Sequence, residues 1–223
     1  MRLASLCAVV ACSSGHSSSE AAPKVEIKDG LCITKGTVAI GARVTDPTMR
    51  AVKLGSSGDA ATLSFVYRGD SETTRALASG KERRQLGIKL RAQNGCNVVY
   101  VMWRLDPKPM LDVSVKYNPG AVSHNDCGAG GYTKVKPDEE TRVPVLAIGD
   151  KHVLRAAIEK GELRAYIDDK LAWRGVLPAT ASAMTGPAGM RSDNVTFDVV
   201  AFEAPPGNGG VPASTKCVAE EHD

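Results

Sequence analysis

Between His152 and Phe202 the chain reads almost residue by residue as strand, turn, strand, and no other stretch restricts the fold as much. Ala, Leu, Glu and Arg in VLRAAIEKGELRAY are good helix formers, so a helix has to be set aside first. Gly161 interrupts the run, and Lys160-Gly161 suits a two-residue hairpin turn. Leu163, Ala165 and Ile167 also alternate with Glu162, Arg164 and Tyr166, the period of a half-buried strand. A second turn at Asp168-Asp169 leads into Leu171 to Trp173, a strand that Gly175 and Pro178 end. After Gly186 to Met190, the residues Arg191, Ser192, Asp193 and Asn194 read as a turn whose Asx side chains bond their own backbone. A last strand follows with Val195, Phe197, Val199 and Ala201 on one face and Phe197 as its core anchor.

Period-two alternation recurs upstream. Val38, Ile40, Ala42 and Val44 form one run, Leu63, Phe65 and Tyr67 a second, and Leu86, Ile88, Leu90 and Ala92 a third. Residues Gln85 to Tyr117 make three strands separated by the turns AQNGC and LDPKP. In the middle one Val99, Val101, Trp103 and Leu105 share a face, and Val98, Tyr100, Met102 and Arg104 share the other. Trp103 is therefore expected in the core, with Tyr100 and Arg104 opposite. Val143 to Ile148 reads as a further strand. The charged connection Gly69 to Arg84 reads as a solvated crossover with room for a helical turn at Thr73 to Ala78. With 22 glycines and 12 prolines among 223 residues, the composition suits short strands and many turns in one domain of sandwich size.

The amino terminus differs in kind. Arg2 precedes the apolar run LASLCAVVA, which resembles the core of a secretory signal, and Val9, Val10, Ala11 and Cys12 resemble a bacterial lipobox. A signal over 1–11, a lipidated Cys12, a serine-rich tether over 12–23, a β-sandwich over 24–206 and a glycine/proline-rich tail over 207–223 are the expected organisation. Export to a bacterial cell envelope, lipid-anchored at the outer membrane or cell surface, or secretion without the lipid, follows from that pattern. No run of about 18 apolar residues crosses a membrane, so the lipid is the expected membrane attachment. The four body cysteines allow two disulfides in an oxidising compartment, and Cys96 with Cys127 and Cys32 with Cys217 are the expected pairs.

A net charge of +3, with both signs interspersed, gives no field for nucleic acid. In the glycine-rich loop Asn118 to Glu140, the cluster at His124 and Asp126 offers one histidine and one carboxylate with no second cluster in register, so turn chemistry is preferred to a metal. No G-x-S-x-G, H-E-x-x-H or phosphate-cradling glycine loop occurs, and neither cofactor nor metal is expected.

The order LRAxIxxGxLxAYIDDxLxWxG followed by GPAGMRSDNVTFDVVAF resembles the carboxy-terminal half of concanavalin A-like lectin/glucanase domains. These include laminin G-like modules and the domain linked to 3-keto-disaccharide hydrolases. The resemblance is strongest over 143–203 and implies an all-β, two-sheet antiparallel jelly-roll sandwich with a concave, often glycan-binding, face. It also implies adjacent terminal strands, which would let Cys32 reach Cys217. Glucanase-type members carry E-x-D-x-x-E on a strand, and this chain has no such spacing, so catalysis by that route is not expected. Calcium, which related domains bind, would find only Asp193 and Asn194 in the expected turn, short of the six to eight ligands it prefers.

Strand parity puts Lys89, Arg91, Tyr100, Arg104 and Lys116 opposite the core, where they could converge on the concave face and meet an acidic or polar glycan. Tyr166 and Trp173 form a second aromatic pair, read as partial core. The expected function is a non-catalytic glycan- or partner-binding module of an exported lipoprotein, monomeric, with a glycan or cell-envelope component as partner. A sugar-acting hydrolase of the 3-keto-disaccharide hydrolase type and a structural envelope protein are the alternatives.

Overall fold

The structure, a computed structural model, describes residues 26–28 and 30–207. In chain order the first strands are β1 (Glu26–Lys28), β2 (Leu31–Lys35), β3 (Arg43–Val44), β4 (Thr48–Lys53) and β5 (Ala60–Asp70). Next come β6 (Gln85–Leu90), β7 (Val98–Arg104), β8 (Met110–Lys116), a single helical turn α1 (His124–Cys127), β9 (Tyr132–Lys134) and β10 (Glu139–Glu140). The last five are β11 (Lys151–Glu159), β12 (Glu162–Ile167), β13 (Lys170–Val176), β14 (Gly189–Asp193) and β15 (Val195–Glu203). They form two antiparallel sheets, an eight-stranded one in the order β1-β2-β4-β14-β6-β7-β8-β9 and a seven-stranded one in the order β10-β13-β12-β11-β5-β15-β3. The molecule is an all-β jelly-roll sandwich.

The core follows the alternation. Leu63, Phe65 and Tyr67 of β5, Val99, Val101 and Trp103 of β7, Leu154, Ala156 and Ile158 of β11, and Phe197 and Val199 of β15 all point between the sheets. Phe65 joins the layers, edge-on to Trp103 at 5.9 Å and to Phe197 at 6.3 Å, the geometry that aromatic quadrupoles favour. The β11–β12 and β12–β13 hairpins turn at Lys160-Gly161 and Asp168-Asp169, all four residues with positive φ. That left-handed pair matches the twist of the flanking strands.

Four expected elements differ. Residues 143–148 form no strand, since Pro144 lacks the N–H a ladder needs, and Val145 and Ile148 stay exposed. Of the run Val38 to Val44 only Arg43–Val44 pairs, because Gly41, at φ 77°, breaks the extended chain before it. Residues 73–78 hold no helical turn. The residues 191–193, read as a turn, are instead the end of β14 in the middle of the eight-stranded sheet, and only Asn194, at φ 54°, turns the chain.

Cys96 and Cys127 form a disulfide. Cys32 is fully buried and disulfide-bonded, while its expected partner Cys217 lies outside the described residues, as do the leader, Cys12 and the tether. The first and last strands lie in different sheets, β15 between β5 and β3. Beyond β15 the chain returns to the eight-stranded layer, where Gly207 N donates to Gly55 O at 3.2 Å beside the Leu54 N to Gly30 O bond.

Candidate functional site: a cleft on the eight-stranded sheet

The site is built on the outer face of the eight-stranded sheet. Register places Arg191, Gly87, Met102 and Asp112 in one cross-strand row, with Lys89, Tyr100, Ser114 and Lys134 in the next. Gly87 puts no side chain between Arg191 and Met102, and the Arg191 guanidinium lies 4.9 Å from the Tyr100 ring centre. Tyr100 stacks on Tyr132 of β9 at 6.2 Å and 21°, and Lys116 Nζ sits 5.2 Å from the Tyr132 ring. Cation, two aromatics and cation thus touch in sequence across β14, β7, β9 and β8.

Beside these rows, on the same outer face, lies a buried charge network. The Asp193 carboxylate receives Arg50 Nη2 at 2.6 Å, Arg191 Nε at 2.9 Å and Gln85 Nε2 at 2.7 Å. Arg50 also donates to the carbonyls of Met49 and Ser192. Burial works to raise the Asp193 pKa, but the Arg191 and Arg50 guanidiniums and the hydrogen bond from Gln85 prevail and hold it well below the usual carboxylate range. Burial likewise pulls the Arg191 pKa down, and the Asp193 charge reverses this and leaves it well above its ordinary value. Arg191 is thus held charged and fixed in direction.

Two loops wall the floor to make a cleft of about 290 Å³. One is residues 71–84, where the Asn194 side chain accepts from Arg75 N and donates to the carbonyls of Arg75 and Arg83. A tight turn between, with Leu77 N donating to Lys81 O, brings Leu77, Ala78, Ser79, Lys81 and Arg83 to the cleft. The other wall is residues 117–131. The disulfide and the paired amides of Asn97 and Asn118 tie it to the start of β7, and Lys116 Nζ donates to Gly128 O at 2.8 Å. Its His124, Gly128 and Ala129 line the cleft. Asp126 caps the turn through the Ser123 backbone N–H, which lowers its pKa, so it serves the loop's shape. Among the described residues no group of three or more His, Cys, Asp or Glu is placed to hold a metal.

The structure brings Tyr100 and Lys116 into the cleft and treats the other three expected residues differently. Arg104 shares the face of Tyr100 but is 8% exposed and holds Asp112 at 2.7 Å, so it fixes a lining carboxylate and does not line the cleft itself. Lys89 is 3% exposed, in the row of Tyr100 and outside the lining. Arg91 does not converge with the others. Its φ of 47° ends the alternation one residue past β6, and its side chain turns to Asp59 at 2.6 Å and Ala181 O at 2.8 Å. Tyr166 is covered by Arg155 at 4.1 Å, and Trp173 is core, so neither contributes a site.

The sequence reading missed Tyr132, Arg191, Asp112, Lys81 and Arg83. Tyr132, an aromatic in the glycine-rich GAGGY segment, was the available signal. The others depend on register and on a loop folding back.

A jelly-roll sandwich with a polar, aromatic-floored cleft on its eight-stranded sheet is the class these observations define. Among solved structures, the carbohydrate-binding module CBM66 from Bacillus subtilis superposes with a TM-score of 0.52 at 14% identity, spanning 80% of this chain and 99% of the module. Galectin-Ib from Xenopus laevis gives a TM-score of 0.40 at 11% identity over 66% of this chain and 91% of the galectin. A GH43 protein from Bacillus licheniformis gives 0.43 at 12% identity over 79% of this chain and 32% of that protein. No protein-family model and no curated protein sequence matches the chain.

Proposed function

We propose that this chain is a non-catalytic carbohydrate-binding β-sandwich whose ligand lies in the cleft on the eight-stranded sheet. It acts as a module of an exported protein carrying lipid on Cys12. The observation that carries the proposal is the Tyr100–Tyr132 stack at the base of a polar cleft, with Tyr132 left 45% exposed. An exposed tyrosine face packs against the C–H side of a sugar ring, while fixed donors and acceptors around it read the hydroxyls. At about 290 Å³ the cleft has the size of a small ligand pocket. The likeness to a carbohydrate-binding module over nearly all of that module's length supports the same reading. The Cys96–Cys127 disulfide supports export.

Glycoside hydrolysis commonly needs two carboxylates ~5–10 Å apart. Among the described residues lining the cleft Asp112 is the one carboxylate, and Arg104 at 2.7 Å and Lys134 at 3.5 Å hold it. Nothing here favours the hydrolase, and a structural envelope protein has no need of a walled cleft.

Tyr132→Ala tests the proposal. On a glycan array and in calorimetry it should weaken retention of the bound sugar by at least about tenfold, equivalent to ~1.4 kcal/mol. A half-exposed side chain should leave the melting temperature within ~2 °C. Unchanged affinity would remove the cleft from consideration.

A further inference from the structure

The cleft is far more basic than the protein that carries it. Lys81, Arg83 and Arg191 line it, and among the described residues lining it Asp112 is the one carboxylate, although the whole chain is only +3. Asp112 is already engaged by Arg104 and Lys134, and Asp193, fully buried in the neighbouring row of the same face, is shared by Arg191 and Arg50. The positive charge in the cleft that no described carboxylate pairs therefore comes from Lys81 and Arg83.

Lys81 and Arg83 matter most. They project from the wall that Asn194 fixes, and that clamp uses the carbonyl of Arg83, leaving its side chain free of the task. Neither forms an ion pair with a described carboxylate, whereas Arg43, Arg50, Arg68, Arg84, Arg91 and Arg104 all do. A solvated crossover would present such groups to water in no fixed relation to anything. Here a loop held at Arg75 and Arg83 brings them to the cleft that Arg191, Tyr100 and Tyr132 also line. Arginine offers a planar fork of donors that matches a carboxylate or sulfate, and lysine adds a point charge.

Resting on the carbohydrate reading of this same cleft, we propose that its ligand is an anionic glycan, with the carboxylate or sulfate of one sugar held between Lys81 and Arg83 of the 71–84 loop and Arg191 of β14. The ring of that sugar stacks on Tyr132. The two sources of charge share one chemistry, and selective removal of each separates them.

The test is a glycan array of uronic, sulfated and neutral oligosaccharides probed with the full chain made in an oxidising compartment. The retained members are then re-measured by calorimetry after carboxyl reduction or desulfation. Retention should concentrate on charged members and weaken as salt rises. Reduction or desulfation should cost at least tenfold in affinity, whichever of the two applies naming the group. Lys81→Gln with Arg83→Gln should cost the charged glycan at least tenfold at an unmoved melting temperature. Retention of neutral glycans with no preference for charge would overturn the anionic ligand and leave the carbohydrate-binding proposal standing. Retention of charged glycans that survives the double substitution would overturn the assignment to this loop. No retention of any member would overturn both.

Discussion

Asp193 has no exposed surface, yet Arg50, Arg191 and Gln85 all converge on its carboxylate. Removing the carboxylate leaves two guanidiniums inside the molecule without their counter-ion, which for a broken buried pair costs ~3–5 kcal/mol. Asp193→Ala should therefore lower the urea midpoint by that equivalent and tilt Arg191 off Tyr100. The pH dependence has a definite sign. A carboxyl lowered in the folded state stabilises fully above its unfolded pKa of ~3.9, and that contribution is lost as pH falls toward the folded value. Stability of the parent should thus fall steeply below about pH 4, and Asp193→Asn should show a shallower fall over the same range, Asp198 retaining part of the slope. An unchanged acid slope would show that Asp193 carries no such linkage. At this level the sequence was mute. Asp193 and Gln85 are 108 positions apart, and only the register of β14 against β6 makes them partners.

Two asparagines set the shape of the cleft through the loops they hold. Asn97 locks the 117–131 wall to β7, and Asn194 locks the 71–84 wall to the β14–β15 corner. Because Asn194 has a φ of 54°, glycine can keep the backbone there while removing the clamp, which separates the two roles. Asn194→Gly should raise trypsin cleavage after Lys81 and Arg83 severalfold in the native state, with only a modest shift of melting temperature; cleavage at the parental rate would show the loop to be held by something else. Elements with long alternating runs were legible. Strands β5, β7, β11, β12 and β15 follow from Leu63, Phe65, Tyr67 and their counterparts, and the hairpin turns from Lys160-Gly161 and Asp168-Asp169. Strands β2, β4 and β14 were not, because charged residues such as Arg50 and Arg191 stand at positions where an outer face is normally left to water. That face is here covered by loops, so its polar residues are buried and its alternation reads like a turn.

At the scale of the whole molecule, one face of one sheet has been built over while the rest remains a plain sandwich. The seven-stranded sheet alternates buried with half-buried or exposed residues along β5 and β12, as a partly solvated outer face requires, whereas β6 and β7 are buried at every position. The all-β class was legible from turns and period-two runs, and the jelly-roll arrangement from the resemblance of residues 143–203 to concanavalin A-like domains. The cleft was legible only at Tyr100 and Lys116, which parity set opposite the core, because its walls depend on two loops folding back across the sheet. Location of the ligand is therefore the most direct test. Titration of the isotope-labelled chain with a glycan retained on the array should shift the amide resonances of Tyr100, Ser114, Lys116, Gly128 and Tyr132, and leave those of Arg155, Arg164 and Tyr166 on the opposite sheet in place. Shifts confined to the seven-stranded sheet would contradict the cleft as the binding site.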